Sequence, residues 1–581
     1  MVTRKQQKKA ASEAEENEYV IVNLTLLNNF VNENLLKHKS TSPECSNPDF
    51  KLIKTNSRFI SIEIKAQCKN CKYVSENAKM YYKMDKTLQS LGETDSGDGG
   101  SNRGDKASTL NASLAAALTN TMIGVTQLRR LFLEIGIDVG ASSTLQKLCS
   151  NMTNLNKRLA ASSMEKGINE LKLQTDRGKA TAVTQDGYYN NRQRRGPCQA
   201  GTQVVYTSVG SNGKILAFNT FNKLCPKGKR LESKNLGSCD EGHPGCVRTL
   251  DEVAPISQEG RMALDALFSL REKGYVPDYL TVDGDTQIRD KVAQFSKDID
   301  KHILVQYDVN HWVKNLEKYL NKHMPFDDDG TFNGGKHKDN KRMRQSTMRK
   351  LCLDISNRCK AEIKLCSELT ENITDSGKRI DEMYDTFTEQ LKLAILKCLQ
   401  GQCGELCEKH SLFCYGEGKE KSRQNMIGDH IELKGENLSI AEERINAYFE
   451  KERIADVFLQ LNTNINEALH RGYQRTNPKI TTYAKNYVGR VCREIIHYNE
   501  GIAVSAQLVN DAIGHKTCSN VKNKLKKEQQ GQEYQTAYSK LKSTKKRRFQ
   551  RLSSTYQKHT KYRRAQKNTK STYKKGIDFN K

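Results

Sequence analysis

Residues 181–189 read TAVTQDGYY, residues 201–210 GTQVVYTSVG and residues 214–224 KILAFNTFNKL. Each stretch is short and rich in β-branched and aromatic residues, with Gly or polar turns between. They predict three consecutive strands joined by hairpins. Outward from them, ISQEGRMALDALFSLREKG (256–274) has the spacing of an amphipathic helix ending on Gly274. DYLTVDGD (278–285) reads as a strand, TQIRDKVAQFSKDI (286–299) as a helix, HILVQYD (302–308) as a strand and HWVKNLEKYLNKH (311–323) as a helix.

That order of elements is an RNase H-like topology, an α/β core whose mixed five-stranded sheet carries helices on its faces. Its first part spans 179–324. A helical, Cys/His-rich insertion follows over 325–452, and the final helices of the core over 453–516; strong helical spacing returns at SIAEERINAYFEKERIADVFLQLNTNINEALHRGY (439–473) and persists to about residue 530. Before the core, residues 108–178 form a helical region, broken by Gly136–Gly140 and preceded by a Gly-, Ser- and Asp-rich linker at 88–107. Residues 1–18 are a charged, disordered arm, and 19–87 a small cysteine-bearing unit. No apolar run is long enough to span a membrane, and the N-terminus lacks the apolar core of a secretory signal.

The 581 residues carry a net charge of +27. From His515 to Lys581 there are 21 Lys and Arg against three acids, so that tail holds +18 of it. A basic disordered tail over 517–581, with Lys545, Lys546, Arg547 and Arg548 at its centre, has a nucleic-acid backbone as its natural partner. The same tetrapeptide reads as a nuclear address, so a nuclear location is expected.

Seventeen cysteines in a large intracellular chain suggest reduced thiols, some of them on zinc. Cys68 and Cys71 form a CxxC after the strand-like FISIEI, a zinc-knuckle-like pair to which Cys45, or less convincingly His38, adds. Cys225, Cys239, His243 and Cys246 lie in one loop after the third strand and suit tetrahedral zinc. In CLQGQCGELCEKHSLFC, which opens on Cys398, the residues Cys403, Cys407, His410 and Cys414 fall at helical spacing on one face.

Acids on the first and fourth strands, neighbours in this topology, can converge on one point. Asp186 closes the first strand and Asp283 the fourth; each follows an apolar run and precedes a glycine. Asp285 shares the turn of Asp283. Two divalent cations, hard ions such as Mg²⁺, held by such carboxylates support phosphoryl transfer on DNA. The third acid is expected on a helix after the last strand, and Glu467, in an amide-rich segment, is the choice.

The motifs SSMEKG, VTQDGYY, GKILAFNTF, EGRMALDALFSLREKG, YLTVDGDTQI, YDVNHWVKNLEKYL and NTNINEALHRGY, in this order over about 108–516, resemble the Mutator-like transposases, with a more distant similarity to the Kolobok group. The cysteine unit near the N-terminus fits as well. The resemblance implies DNA strand cleavage and transfer by an Asp-Asp-Glu site with Mg²⁺ or Mn²⁺. By position that site falls on Asp186, Asp283 and Glu467, with His311 in the place of a histidine that follows the last strand. Asp308, ending that strand, is close enough to be mistaken for a ligand. The implied partners are double-stranded DNA (terminal repeats and target) and a second copy of the chain, or more.

HRGYQRTNPKITTYAKNYVGR (470–490) interleaves cations with tyrosines, and Arg471, Tyr473, Arg475 and Lys479 are its candidate DNA contacts; Gln193-Arg194-Arg195 is similarly placed. A stand-alone nuclease of the same fold and a domesticated DNA-binding protein without chemistry are the competing readings. Terminal inverted repeats around the coding region would separate the transposase from both.

Overall fold

A computed structural model describes residues 19–84, 108–190, 202–250, 259–323, 341–400 and 435–541, apart from positions 138, 140, 284, 285, 374, 462 and 484, together with five positions between 543 and 551. The described chain falls into two units, Met1–Asn499 and Glu500–Lys581.

The first unit opens with helix α1 (Leu24–Thr41) against a three-stranded antiparallel sheet of β1 (Phe50–Arg58), β2 (Ser61–Cys68) and β3 (Ala78–Lys79). Asn23 caps α1 by accepting from the Leu26 amide at 3.1 Å. The core between helix and sheet is small: Phe30, Ile62, Ile64, Ala66 and Met80 are its buried side chains. Three helices follow, α2 (Thr109–Thr119), α3 (Val125–Glu134) and α4 (Ser142–Asp176), where apolar periodicity predicted a helical region.

The central sheet has five strands in the order β6-β5-β4-β7-β8, formed by β4 (Ala182–Asn190), β5 (Gln203–Gly210), β6 (Ile215–Asn222), β7 (Tyr279–Val282) and β8 (Leu304–Tyr307). β4, β5 and β6 pair antiparallel, while β4–β7 and β7–β8 are parallel. The expected strands and their neighbours are therefore present. Between β6 and β7 stand the short helix α5 (Pro226–Glu232), unforeseen in the sequence, and α6 (Glu259–Glu272); α7 (Thr286–Asp298) joins β7 to β8, and α8 (Val309–His323) leaves β8.

One face of the sheet buries Val183, Val204, Tyr206 and Leu216 against Met262, Ala266 and Leu270 of α6 and Val292 and Phe295 of α7. Burial of this kind contributes roughly 25 cal/mol per Å² of apolar surface and is the main force fixing the layers. β5 is buried along its whole length, so its polar residues need partners. A ladder of amides supplies them across three strands: Asn190 donates to Gln203 Oε1 at 3.0 Å, and Gln203 donates to Asn222 Oδ1 at 3.1 Å.

Helices α9 (Lys341–Leu369), α10 (Ser376–Phe387), α11 (Leu393–Leu399), α12 (Gly435–Tyr448) and α13 (Lys451–Ala455) follow. Trp312, Leu316 and Leu320 of α8 pack with Ile355 and Ile363 of α9, Met383 and Phe387 of α10, and Ile445 and Phe449 after them. Cys352, Cys359 and Cys366, seven residues apart, are buried in that core as small apolar groups.

The chain then returns to the sheet. The Tyr307 amide donates to Asp456 O at 2.7 Å, Gln306 Nε2 to Ala455 O at 2.9 Å, and the Leu459 amide to Gln306 Oε1 at 3.2 Å. These bonds lay residues 455–461 along β8, satisfying an edge that would otherwise stay open. That run delivers the chain into α14 (Asn464–Thr476), which packs on β4. Helix α15 (Tyr487–Ala512) contains Gly501 at φ 80° and ψ 168°, a backbone that glycine adopts most readily.

In the second unit, helix α16 (Ser519–Lys540) continues the helical spacing read to about residue 530 into the segment whose charge predicted a disordered tail. Inside it Gln529 accepts from the Ala503 amide at 3.1 Å.

Candidate active site and two cysteine–histidine clusters

Asp186 lies in the middle of β4 rather than at its end, correcting the reading of the sequence. What ends near it is the neighbouring strand. The parallel pairing runs Ala182↔Tyr279, Val183↔Leu280, Thr184↔Thr281, and continuing that register two residues sets Asp186 level with Asp283. The parallel partner stops at Val282, so a notch opens beside Asp186, with Asp283 on its far side. Alternation along β4 turns Asp186 away from Gln185 and Gly187.

The charges in the notch are arranged against one another. Burial, then the carboxylates of Asp283, Glu259 and Glu467, push the Asp186 carboxyl up to about 8, although the Gly187 amide, donating to Oδ1 at 2.6 Å, favours its ionised form. Asp283 is raised as well: burial leads, Asp308 and Glu467 add to it, and His311 and the Thr463 hydroxyl oppose it. His311 Nε2 stands 3.7 Å from Asp283 Oδ2. Glu467, in the first turn of α14, is exposed. Asp285 falls outside the described residues.

Asp308 has other work. Its Oδ1 accepts from the amides of Asn310 and His311 at 2.6 and 3.0 Å, which makes it the cap of α8. Its Oδ2 accepts from the Thr463 amide at 2.5 Å. The Thr463 hydroxyl lies 2.9 Å from Asp308 Oδ2 and 3.1 Å from Asp283 Oδ1, so its single proton serves one of the two. Thr463 thereby ties the ends of β7 and β8 to the start of α14. Thr463→Val is expected to cost about 1–3 kcal/mol, read as a lower urea midpoint; an unchanged midpoint would show that the hydroxyl holds nothing.

Three residues near the acids were not foreseen. Glu259 accepts from Tyr189 OH at 2.5 Å. Thr463 is the second. His470 places Nδ1 3.6 Å from Asp186 Oδ2; burial, then Lys479, hold its pKa down to about 4.

Of the expected DNA contacts, Arg471, Arg475 and Lys479 are exposed. Arg475 pairs with Glu494 at 3.1 Å, and Lys479 Nζ stands 5.3 Å from the centre of the Tyr188 ring. Tyr473 is a correction: it is fully buried, packed beside Tyr188 with ring centroids 5.8 Å apart, and cannot stack on a base. In the second unit Arg547 donates to Tyr538 OH at 3.1 Å and Arg548 is exposed. Lys545, Lys546 and the Gln193-Arg194-Arg195 stretch lie outside the described residues.

The N-terminal cysteines gain the ligand their spacing left open. His38, near the C-terminal end of α1, joins Cys45, Cys68 and Cys71, with all four ligand atoms within 4.8 Å of one another. His38 Nε2 is 3.1 Å from Cys71 Sγ, and Cys45 Sγ 3.9 Å from Cys68 Sγ. Burial raises the Cys68 thiol, but amides of Asn70, Asp49 and Cys71 and the Cys71 thiol bring it down to about 6.

The second set comes together as expected: Cys225, Cys239, His243 and Cys246 also lie within 4.8 Å. His243 Nε2 is 3.4 Å from Cys225 Sγ and 3.5 Å from Cys239 Sγ. Burial raises Cys225, while amides of Val247 and Gly228 and the neighbouring thiols lower it to about 6; Cys239 is pushed up to about 12 by burial and its two thiol neighbours. A Cβ on Gly228 would collide with Cys239 Sγ, so the loop closes onto glycine here. Cys398 is a helical residue of α11; Cys403, Cys407, His410 and Cys414 lie outside the described residues.

A mixed five-stranded sheet thus brings Asp186 level with Asp283 just past the end of β7, and two cysteine–histidine clusters lie in the same unit. Residues 18–414 match the Mutator-like transposases, and the chain belongs to that family. The match takes in Asp186, Asp283, His311 and both described cysteine–histidine clusters; Glu467 lies past its end. No curated protein matches the chain. Among the described residues, no helix is long and apolar enough to cross a membrane.

Proposed function

We propose that the protein is a DNA transposase of the Asp-Asp-Glu type, binding element ends and catalysing cleavage and strand transfer from an RNase H-like core. The observation that carries this reading is the register that levels Asp186 with Asp283 beside the end of β7. A buried carboxylate surrounded by other carboxylates is a poor device for stability and a suitable donor set for hard divalent cations. Asp186, Asp283 and Glu467 would hold Mg²⁺ or Mn²⁺.

Cations bound there would supply activation of the attacking oxygen and stabilisation of the leaving one. The chain's own groups do the rest. Thr463 fixes Asp283 and the start of α14 in one arrangement. His311, beside Asp283, orients that carboxylate or the substrate. Arg471 and Lys479 line the exposed side of the same segment, where cations meet phosphates. A homodimer or larger assembly and a nuclear location belong to this reading.

Zn²⁺ is the proposed occupant of both described clusters. Three thiols and an imidazole with mutually close ligand atoms suit a closed tetrahedral site, and a thiol lowered to about 6 in each is ready to ligate as thiolate.

The reading is tested by incubating the full chain with DNA carrying the element's flanking ends. Nicking at those ends and joining to target DNA should require Mg²⁺ or Mn²⁺ and stop on chelation. Tight binding with no cleavage in either metal would favour a protein that binds DNA without chemistry.

A further inference from the structure

His470 is left over from the site as first read. It lies three residues after Glu467, so both side chains occupy one face of α14. Its ring packs near Tyr188, with centroids 5.5 Å apart at 49°, and near Tyr473 at 6.5 Å and 33°. Tyr188 is itself anchored, its hydroxyl donating to Asn477 O at 2.9 Å. The imidazole is therefore held by packing, with Nδ1 turned to Asp186 Oδ2 at 3.6 Å.

That separation is too long for a good hydrogen bond. It is near the spacing of two ligand atoms sharing one cation, about 3.0–3.4 Å for bonds of roughly 2.1 Å. The arrangement has a counterpart across the notch, where His311 Nε2 stands 3.7 Å from Asp283 Oδ2. Each of the two aspartates thus has one imidazole nitrogen beside it, from α14 at Asp186 and from α8 at Asp283. The other nitrogen, Nε2 of His470, is buried with no hydrogen-bond partner. An imidazole buried at that cost next to a carboxylate has a use beyond filling space.

We propose that His470 is a nitrogen ligand to the divalent cation bound at Asp186. This rests on the reading of Asp186 and Asp283 as metal-holding acids, and adds to it a donor that carboxylates alone do not provide. An imidazole in the set favours Mn²⁺ over the harder Mg²⁺. Removing it should therefore weaken Mn²⁺ more than Mg²⁺, with Mn²⁺ affinity falling about ten-fold.

The test uses Mn²⁺ as a spectroscopic probe on the full chain. Spin-echo modulation from a directly bound ¹⁴N is measured in a His311→Gln background, which silences the imidazole beside Asp283. The proposal expects nitrogen coupling in His311→Gln and its loss in His311→Gln/His470→Gln, with Mn²⁺ still bound and the thermal transition retained. His470→Asn serves as a second variant should the glutamine form not fold. Bound Mn²⁺ that requires Asp186 yet shows no nitrogen coupling in His311→Gln, or coupling that survives loss of His470, would overturn the proposal and leave the acids' role standing. Mn²⁺ bound equally well by Asp186→Asn would remove the underlying reading, and this proposal with it.

Discussion

With Asp186 replaced by asparagine, the metal-free protein is expected to be more stable at pH 8 than the unaltered chain, while losing its affinity for Mg²⁺ and Mn²⁺. Asparagine keeps an acceptor for the Gly187 amide and removes the charge that burial, Asp283, Glu259 and Glu467 oppose. The direction with pH follows from where the proton sits. In the folded chain the Asp186 carboxyl is raised from 3.8 to about 8, so the folded state binds the proton more tightly than the unfolded one. Its contribution is then fully favourable below about pH 4, and is lost as pH rises toward 8. The loss at pH 8 is on the order of a few kcal/mol. Thermal midpoints measured from pH 5 to 8 with no Mg²⁺ or Mn²⁺ added should fall less steeply in Asp186→Asn than in the wild type. Saturating Mn²⁺ should flatten the wild-type profile, since metal takes the place of the proton. Metal affinity of the variant should drop by more than about 100-fold. A variant less stable than wild type at pH 8, or one binding Mn²⁺ normally, would show that the acid cluster is not built around a cation.

Zinc removal is expected to have the second large effect. Among the described residues, the core between the N-terminal helix and sheet has five buried apolar side chains, with Phe59, Ile60, Tyr81 and Met84 buried elsewhere in the unit, a small core for some sixty residues. His38, Cys45, Cys68 and Cys71 join α1 to the β2 hairpin, and structural zinc contributes roughly 10 kcal/mol where it closes a small fold. Full-chain protein should lose one zinc per chain in His38→Ala and one in Cys246→Ser, counted by elemental analysis. His38→Ala should in addition open residues 19–84 to limited proteolysis. Gly228→Ala, which alters no ligand, should weaken the second site because its methyl meets Cys239. Zinc content unchanged in His38→Ala and Cys246→Ser would leave both clusters as reduced thiols beside a histidine.

The strands of the central sheet were legible because their period of two and β-branched composition are local properties; the two level aspartates followed from placing the first and fourth strands side by side. What the sequence did not carry is where a neighbouring strand stops. That is why Asp186 read as a strand end and is instead in mid-strand beside the end of β7. Thr463 and His470 were invisible for a related reason. They reach the acids only because residues 455–461 lie along β8, a pairing made across about 150 residues by Gln306 and Asp456. His38 sits on a helix seven residues before Cys45, outside any compact motif, and only the docking of α1 on β2 brings it to the thiols. Tyr473 went the other way: an aromatic on an amphipathic helix fits either face, and here the face is Tyr188 rather than a base.

The measurement that tests the central claim most directly is strand cleavage and transfer on DNA with the flanking element ends, in Mg²⁺ and in Mn²⁺. Wild type is compared with Asp186→Asn, Asp283→Asn and Glu467→Gln, and end binding is measured in parallel. Metal-dependent nicking and joining by the wild type, lost in each variant while DNA binding persists, is the predicted result. Cleavage that survives in Asp186→Asn or Asp283→Asn would contradict it and place the chemistry elsewhere in the chain.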